Sequence, residues 1–378
     1  MDQATLRHWS RRAWLAALWA QTLKAEAAPV VQRRTLVFPR DHGAHPDHRT
    51  EWWYATGRVQ TASGDELGFQ VTFFRSRGIA TAQEPTPPSR FAPRQLLFAH
   101  AALSDVRRQH LWHAQALTRW NGSPTAQGAV AALDDTDVRL QGWWLRRTMR
   151  GYEAHLGDAQ AAMNLQLTPT QALLLQGDEG YSRKGPDPLQ ASHYYSLPHL
   201  RVSGTVRRPQ RGGEARPSPP ESVTGWAWLD HEWSETLLHP EAVGWDWIGM
   251  NLHDGAALTA FRLRRADGSA VWAGGSWRAG GSTAVRSFAA EEVQWQPLAW
   301  WQSPLSNARY PVRWRIHTPV GSFEVRAKFE AQELDSRAST GAIYWEGLSE
   351  LRDADTSTVR GFGYLEMTGY AQRLRLGD

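Results

Sequence analysis

Apolar residues along this chain recur at every second position far more often than at helical spacing. Leu67, Phe69, Val71 and Phe73 share one face of an extended segment, while Gln70 and Thr72 fall on the other. Met163, Leu165 and Leu167 alternate with Asn164, Gln166 and Thr168 in the same way. Asp254-Gly255 and Asp267-Gly268 bracket an apolar-rich run from Ala256 to Leu263, which predicts three antiparallel strands joined by tight turns. With 32 Gly and 21 Pro punctuating the rest, the pattern predicts an all-β protein of the sandwich or barrel kind with little helix.

Two Pro-rich runs, 80–94 and 207–222, lack any period and read as exposed loops. A dense motif follows the second directly, so the boundary between two domains is placed near residue 235. At the N-terminus, Arg7, Arg11 and Arg12 precede a short apolar run from Ala13 to Ala20 and an Ala25-Glu26-Ala27 cleavage pattern. Residues 1–28 therefore read as an export leader, and Ser10 to Leu15 resembles a twin-arginine signal. The expected location is periplasmic or secreted.

Composition narrows the function classes. A chain of 378 residues suits one large or two medium domains. No stretch has 18 consecutive apolar residues, so no transmembrane helix is expected in the processed chain. The formal charge of +4 drops to +2 once the leader's four basic and two acidic residues are removed, and nucleic acid is a poor partner on charge. The absence of cysteine excludes disulfides, thiol nucleophiles and Cys-based zinc sites. The 21 Trp point to large aromatic packing, an aromatic-lined cavity, or both.

Three motifs carry candidate chemistry. In 38–57, FPRDHGAHPDHRTEWWYATG, His42, His45 and His48 stand among Asp41, Asp47 and Glu51. Imidazole and carboxylate suit zinc or iron, but Gly43, Pro46 and Asp47 mark a loop without a regular spacing to aim the rings. The reading preferred is a loop at a cavity mouth, with His42, His45, Glu51 and Trp53 as substrate-binding residues and no metal. In GWAWLDHEW (225–233), strand alternation puts Asp230 and Glu232 on one face and His231 and Trp233 on the other. A carboxyl in an aromatic pocket is desolvated, stays protonated near neutral pH and can act as a general acid. One of Asp230, Glu232 and Asp246 is the expected donor, with His231 orienting the acid or a water and Trp233 facing a developing cation. Trp245 and Trp247 of GWDW (244–247), and Tyr194, are expected to line the substrate site. The bland alternative is that Asp230 and Glu232 accept hydrogen bonds in a core. The third motif, GFGYLEMTGY (361–370), reads as a closing strand with Glu366 aimed inward. A Ser hydrolase of the α/β type lacks its G-x-S-x-G elbow here.

FPRDHGAHPDHRTEWWYATG, YSRKG (181–185), ASHYYS (191–196), TGWAWLDHEW (224–233), GWDW, YWEG (344–347) and GYLEMTGY (363–370) together resemble the AttH-like, carotenoid 1,2-hydratase superfamily over most of residues 38–372. The resemblance implies two consecutive lipocalin-like β-barrel domains, 38–235 and 236–376, with a ligand site between or within them. It implies water addition to a C=C bond of an isoprenoid-type substrate without a cofactor. The His-x-Trp pattern of the carotenoid branch matches His231 and Trp233. Its Tyr-x-Asp pair on a following strand has no match in Leu258-Thr259-Ala260-Phe261-Arg262, so Asp230, Glu232 or Asp246 would supply the acid. A hydratase of a lipophilic molecule is the favoured function. The alternatives are a periplasmic carrier of a lipophilic ligand, in possible association with a transporter, and a secreted hydrolase.

Overall fold

The computed structural model describes residues 30–77, 95–122, 128–210, 218–236 and 238–374. The leader, the Pro-rich run 80–94 and the middle of the run 207–222 lie outside them. Nearly all regular structure is antiparallel strand. Among the described residues, 13 strands form the first sheet: β1 (Thr50–Thr61), β2 (Glu66–Arg77), β3 (Gln95–Asp105), β4 (His110–Trp120), β5 (Ala129–Ala131), β6 (Asp137–Leu140), β7 (Trp143–Thr148), β8 (Gly151–Gly157), β9 (Ala162–Pro169), β10 (Leu174–Leu175), β11 (Tyr181–Arg183), β12 (Ala191–Arg207) and β13 (Glu221–Ser234). Ten form the second: β14 (Gly244–Leu252), β15 (Ala257–Arg264), β16 (Ala270–Arg278), β17 (Arg286–Phe288), β18 (Gln294–Gln302), β19 (Arg309–Thr318), β20 (Gly321–Ala327), β21 (Glu333–Ser336), β22 (Ala342–Asp353) and β23 (Val359–Met367).

The first sheet runs in the order β4-β3-β2-β1-β13-β12-β9-β8-β7-β6-β5 and curls until its two ends meet. Gln141, in the turn after β6, donates to the Leu117 carbonyl of β4 at 2.9 Å across that seam. The result is a nearly closed barrel, and the second sheet is a half-barrel, in keeping with two lipocalin-like barrels. The run 207–222 connects β12 to β13, which pair with each other inside the first sheet.

Local chemistry explains these elements. Leu67, Phe69, Val71 and Phe73 of β2 are fully buried inside the first barrel, as their alternation requires. The meander of β14, β15 and β16 forms around its two Asp-Gly turns, where Gly255 and Gly268 adopt φ of 84° and 87°. That left-handed conformation is one glycine adopts without a Cβ clash. Each Asp caps its own turn: Asp254 accepts from the Ala256 N–H at 3.0 Å and Asp267 from the Ser269 N–H at 2.9 Å.

One feature departs from the alternation rule. The polar face of β2 is largely shielded from water, with Gly68, Gln70 and Ser76 buried and Thr72 half-buried, because the second sheet packs over the outside of the first. Gln70 donates to Glu346, Ser104 donates to Gln332 at 2.9 Å, and Trp247 donates to the Tyr194 hydroxyl at 3.2 Å. The approach is close: a Cβ on Gly68 would lie 2.5 Å from the Tyr364 hydroxyl. Side chains that alternation assigns to solvent thus line a space between the two sheets.

Candidate functional site

Strand β13 passes between two environments. Asp230 and Glu232 point outward from the first barrel, toward the second sheet, and His231 and Trp233 point into the barrel. All four are buried. The same alternation on β1 sends Trp52 and Tyr54 outward and Glu51 and Trp53 inward. On β14, Trp245 and Trp247 face the first sheet while Asp246 faces the interior of the second.

Between the sheets lies a cavity of about 170 Å³. Its walls are largely aromatic, with Trp52, Phe74 and Phe98 from the first sheet and Trp245, Trp247 and Phe261 from the second. Tyr54, Tyr194, Tyr344 and His100 add polar tips, and four carboxyl groups complete the lining: Asp230, Glu232, Glu346 and Glu366. An apolar pocket with a few convergent polar groups is the usual form of a small-molecule site.

The four carboxyls differ in surroundings. Burial pushes the Asp230 carboxyl up to about 7, against the opposing pull of hydrogen bonds from Ser196, Trp228 and Tyr194. The Ser196 hydroxyl and the Trp228 indole N–H both donate to its Oδ1, at 2.5 and 2.7 Å. Glu232 accepts from Ser192 at 2.5 Å and forms an ion pair with Lys184 at 3.0 Å. The Lys184 ammonium also lies 4.4 Å from the Phe261 ring centroid and 4.8 Å from that of Tyr194. Glu346 and Glu366 stand directly opposite each other on β22 and β23. Burial, and then the charge of its neighbour, holds Glu346 well above the usual carboxylate range, and burial pushes Glu366 up to about 7. Gln70 donates to Glu346 at 2.7 Å, and Tyr344 is held between Gln70 at 3.1 Å and His100 at 2.8 Å.

A second cluster fills one end of the first barrel, on the far side of β13 from the cavity. Glu51 is its hub. Its Oε1 accepts from His45 Nδ1 at 2.7 Å and His231 Nε2 at 2.9 Å; its Oε2 accepts from the His45 N–H at 2.8 Å and Arg75 Nε at 2.9 Å. His45 Nε2 reaches Asp41 at 3.0 Å, and Arg34 clasps Asp41 with two bonds. The Tyr195 hydroxyl donates to His231 Nδ1 at 3.0 Å and accepts from His42 Nδ1 at 2.8 Å. Those roles follow from burial, which drives His231 down to about 4 and His42 to about 3 and so keeps both rings neutral. Against the cost of burial, the charges of His45 and Arg75 hold Glu51 well below the usual carboxylate range. Trp233 stacks on His45 with ring centroids 3.7 Å apart, and Trp53 lies over His231 at 4.8 Å.

His45, Glu51 and His231 offer ligand atoms within 4.8 Å of one another, close enough to surround a metal ion. Each of those atoms already serves a hydrogen bond, and Arg75 places a fixed positive charge on Glu51. The donor set reads as a closed hydrogen-bonded network.

The sequence-predicted residues therefore divide into three places. Asp230, Glu232, Tyr194, Trp245 and Trp247 meet at the cavity. His42, His45, Glu51, Trp53, His231 and Trp233 meet in the barrel end and do not reach it, so His231 does not touch the Asp230 carboxyl and Trp233 does not face the cavity. Asp246 is in neither. It accepts from Arg262 at 2.7 Å and Tyr370 at 2.8 Å inside the second half-barrel, so it is no proton donor for the cavity. Residues missed at the sequence level are Tyr54, Gln70, Lys184, Tyr344 and Glu346. The signal for Glu346 lay in Tyr344-Trp345-Glu346-Gly347, where an acid alternates with a buried Trp.

Comparison with known proteins supplies the family. The AttH-like family model matches residues 29–370. Among solved structures, the AttH protein NE1406 from Nitrosomonas europaea is 43% identical, with a TM-score of 0.80 over 92% of this chain and 100% of that one. Kievitone hydratase from Nectria haematococca is 14% identical, with a TM-score of 0.65 over 92% of this chain and 95% of that one, a likeness of fold alone. No curated protein matches the sequence. The ordered motifs, the paired sheets and these matches agree: this chain belongs to the AttH-like family.

Proposed function

We propose that the cavity between the sheets binds a lipophilic molecule and adds water to one of its C=C bonds without a cofactor. The observation that carries this reading is Asp230, a buried carboxyl raised to about 7 in the wall of an aromatic cavity. Protonated, it gives its proton to an alkene carbon. Positive charge develops on the more substituted carbon and is stabilised by the faces of Trp52 and Trp247. A water oxygen bonds to that carbon, and the water's proton passes to the Glu232 carboxylate, ion-paired with Lys184. One C–H and one C–O bond form, the π bond breaks, and an alcohol results. A branched isoprenoid-type chain suits the step because it yields a tertiary cation. Kievitone hydratase, a hydratase by name, has the same fold.

A second reading is a carrier. It is favoured by the two hydrogen bonds already made to Asp230 Oδ1, which suit a fixed polar spot on a binding wall as well as an acid. The first experiment is organic extraction of the natively purified chain and mass spectrometry of what it holds. A polyene or branched isoprenoid supports the cavity as the site. An empty extract, with no uptake of an added isoprenoid, contradicts it.

We propose as well that the chain is exported through its N-terminal leader. Changing Arg11 and Arg12 to lysine is expected to leave unprocessed precursor in the cytoplasm, read by fractionation and immunoblot. Unchanged processing would point to the general secretory route.

A further inference from the structure

Glu346 and Glu366 have no part in the hydration step, yet their placement is costly. Glu346 is buried, Glu366 is half-buried, and the two are directly opposed on neighbouring strands, an arrangement that destabilises a pair of like charges. Glu346 is 2% exposed, and neither its Oε1 nor the Tyr54 hydroxyl that faces it makes a hydrogen bond of normal geometry. A buried oxygen without a partner normally has a reason. Both acids line the cavity, and Trp245 and Trp247, whose ring faces attract cations, stand beside them. Among the described residues, the one lysine in the lining is already ion-paired with Glu232, and no other cation there answers the Glu346–Glu366 pair. The other titratable groups around the pair are Tyr54, Tyr344, Tyr364, Asp230 and Glu232.

We infer that the Glu346–Glu366 pair is the charge-recognising end of the cavity, where it receives the protonated amine of a lipophilic ligand. This rests on the cavity being the ligand site, though not on hydration taking place there. An ammonium group donates to the free Glu346 oxygen and to Glu366, the pair releases the proton it holds, and the alkyl part lies along Trp245, Trp247 and Phe261. Charge-assisted bonds of this kind are about twice as strong as neutral ones.

The test uses three probes of equal length on the full chain: octylamine, octanol and octanoate, followed by titration calorimetry. Octylamine is expected to bind at least about tenfold tighter than octanol, with a buffer-dependent heat that reports proton release, and octanoate weakest. E346Q combined with E366Q is expected to remove the amine preference while leaving octanol binding in place, which also shows that the variant is folded. E366Q alone is expected to lose part of the preference. Equal binding of amine and alcohol, or tightest binding of octanoate, overturns the inference and leaves the lipophilic cavity standing. An amine preference that survives both substitutions overturns the assignment to this pair. If none of the probes binds, the cavity reading itself falls, and this inference with it.

Discussion

Asp230→Asn is expected to lower hydration turnover by about 10²–10⁴-fold, the usual worth of a general acid, with the fold intact. The structure separates these two effects. Both strong hydrogen bonds reach the same oxygen, Oδ1, and an asparagine carbonyl can accept both. The new N–H₂ group lies near the Tyr194 hydroxyl, which can accept from it. The sign of the stability effect also follows. The folded state keeps a proton on Asp230 that the unfolded chain releases, so wild-type stability declines as pH rises from about 4 to about 7. Asp230→Asn removes that decline, and the variant should melt no lower than wild type at neutral pH. Turnover by the wild type should fall as pH rises through about 7, where the acid loses its proton. A variant that melts early yet turns over normally per folded molecule would make Asp230 structural.

The largest expected loss of stability comes from Glu51→Gln, in the barrel-end cluster. Each oxygen of Glu51 accepts from two donors. Whichever way a glutamine amide lies, its N–H₂ meets two N–H groups. The Arg75 guanidinium, fully buried, also loses its counter-charge. Breaking such a buried pair costs about 3–5 kcal/mol, measured as a fall in the free energy of urea unfolding. The pH dependence goes the other way from that of Asp230. The depressed Glu51 contributes stability that is present above about pH 4.5 and lost as pH falls through its lower folded value. His231 and His42, held neutral in the fold but protonated below about 6.5 when unfolded, lose stability over the same descent. Glu51→Gln should therefore be less stable at pH 7 and flatter toward acid. A loss below about 1 kcal/mol would mean the network is no anchor.

Much of the fold was legible because strand alternation and turn chemistry are local. The apolar face of 67–73 and the two Asp-Gly turns needed no tertiary knowledge. So did the split between Asp230 and Glu232 on one side of β13 and His231 and Trp233 on the other. What could not be read was which side holds a cavity. Residues Gln70 and Thr72 look like a solvent face, and only the second sheet makes them a cavity wall. Proximity in sequence also misled at Asp246, which sits between two cavity tryptophans and points away from both. Glu346 and Glu366 lie more than 100 positions from Asp230, and their opposition exists only through the register of β22 and β23. The loop of His42 and His45 has no period, so the aim of its rings depended on where Glu51 and His231 meet.

The central claim is that the cavity hydrates its own ligand with Asp230 as the acid. It is tested most directly by incubating the chain with its co-purified lipid in water enriched in heavy oxygen and weighing the lipid afterwards. The account predicts a product heavier by one labelled water, formed by the wild type and nearly absent with Asp230→Asn. Recovery of the lipid at its original mass from folded, ligand-bound wild type would contradict it and make the protein a carrier.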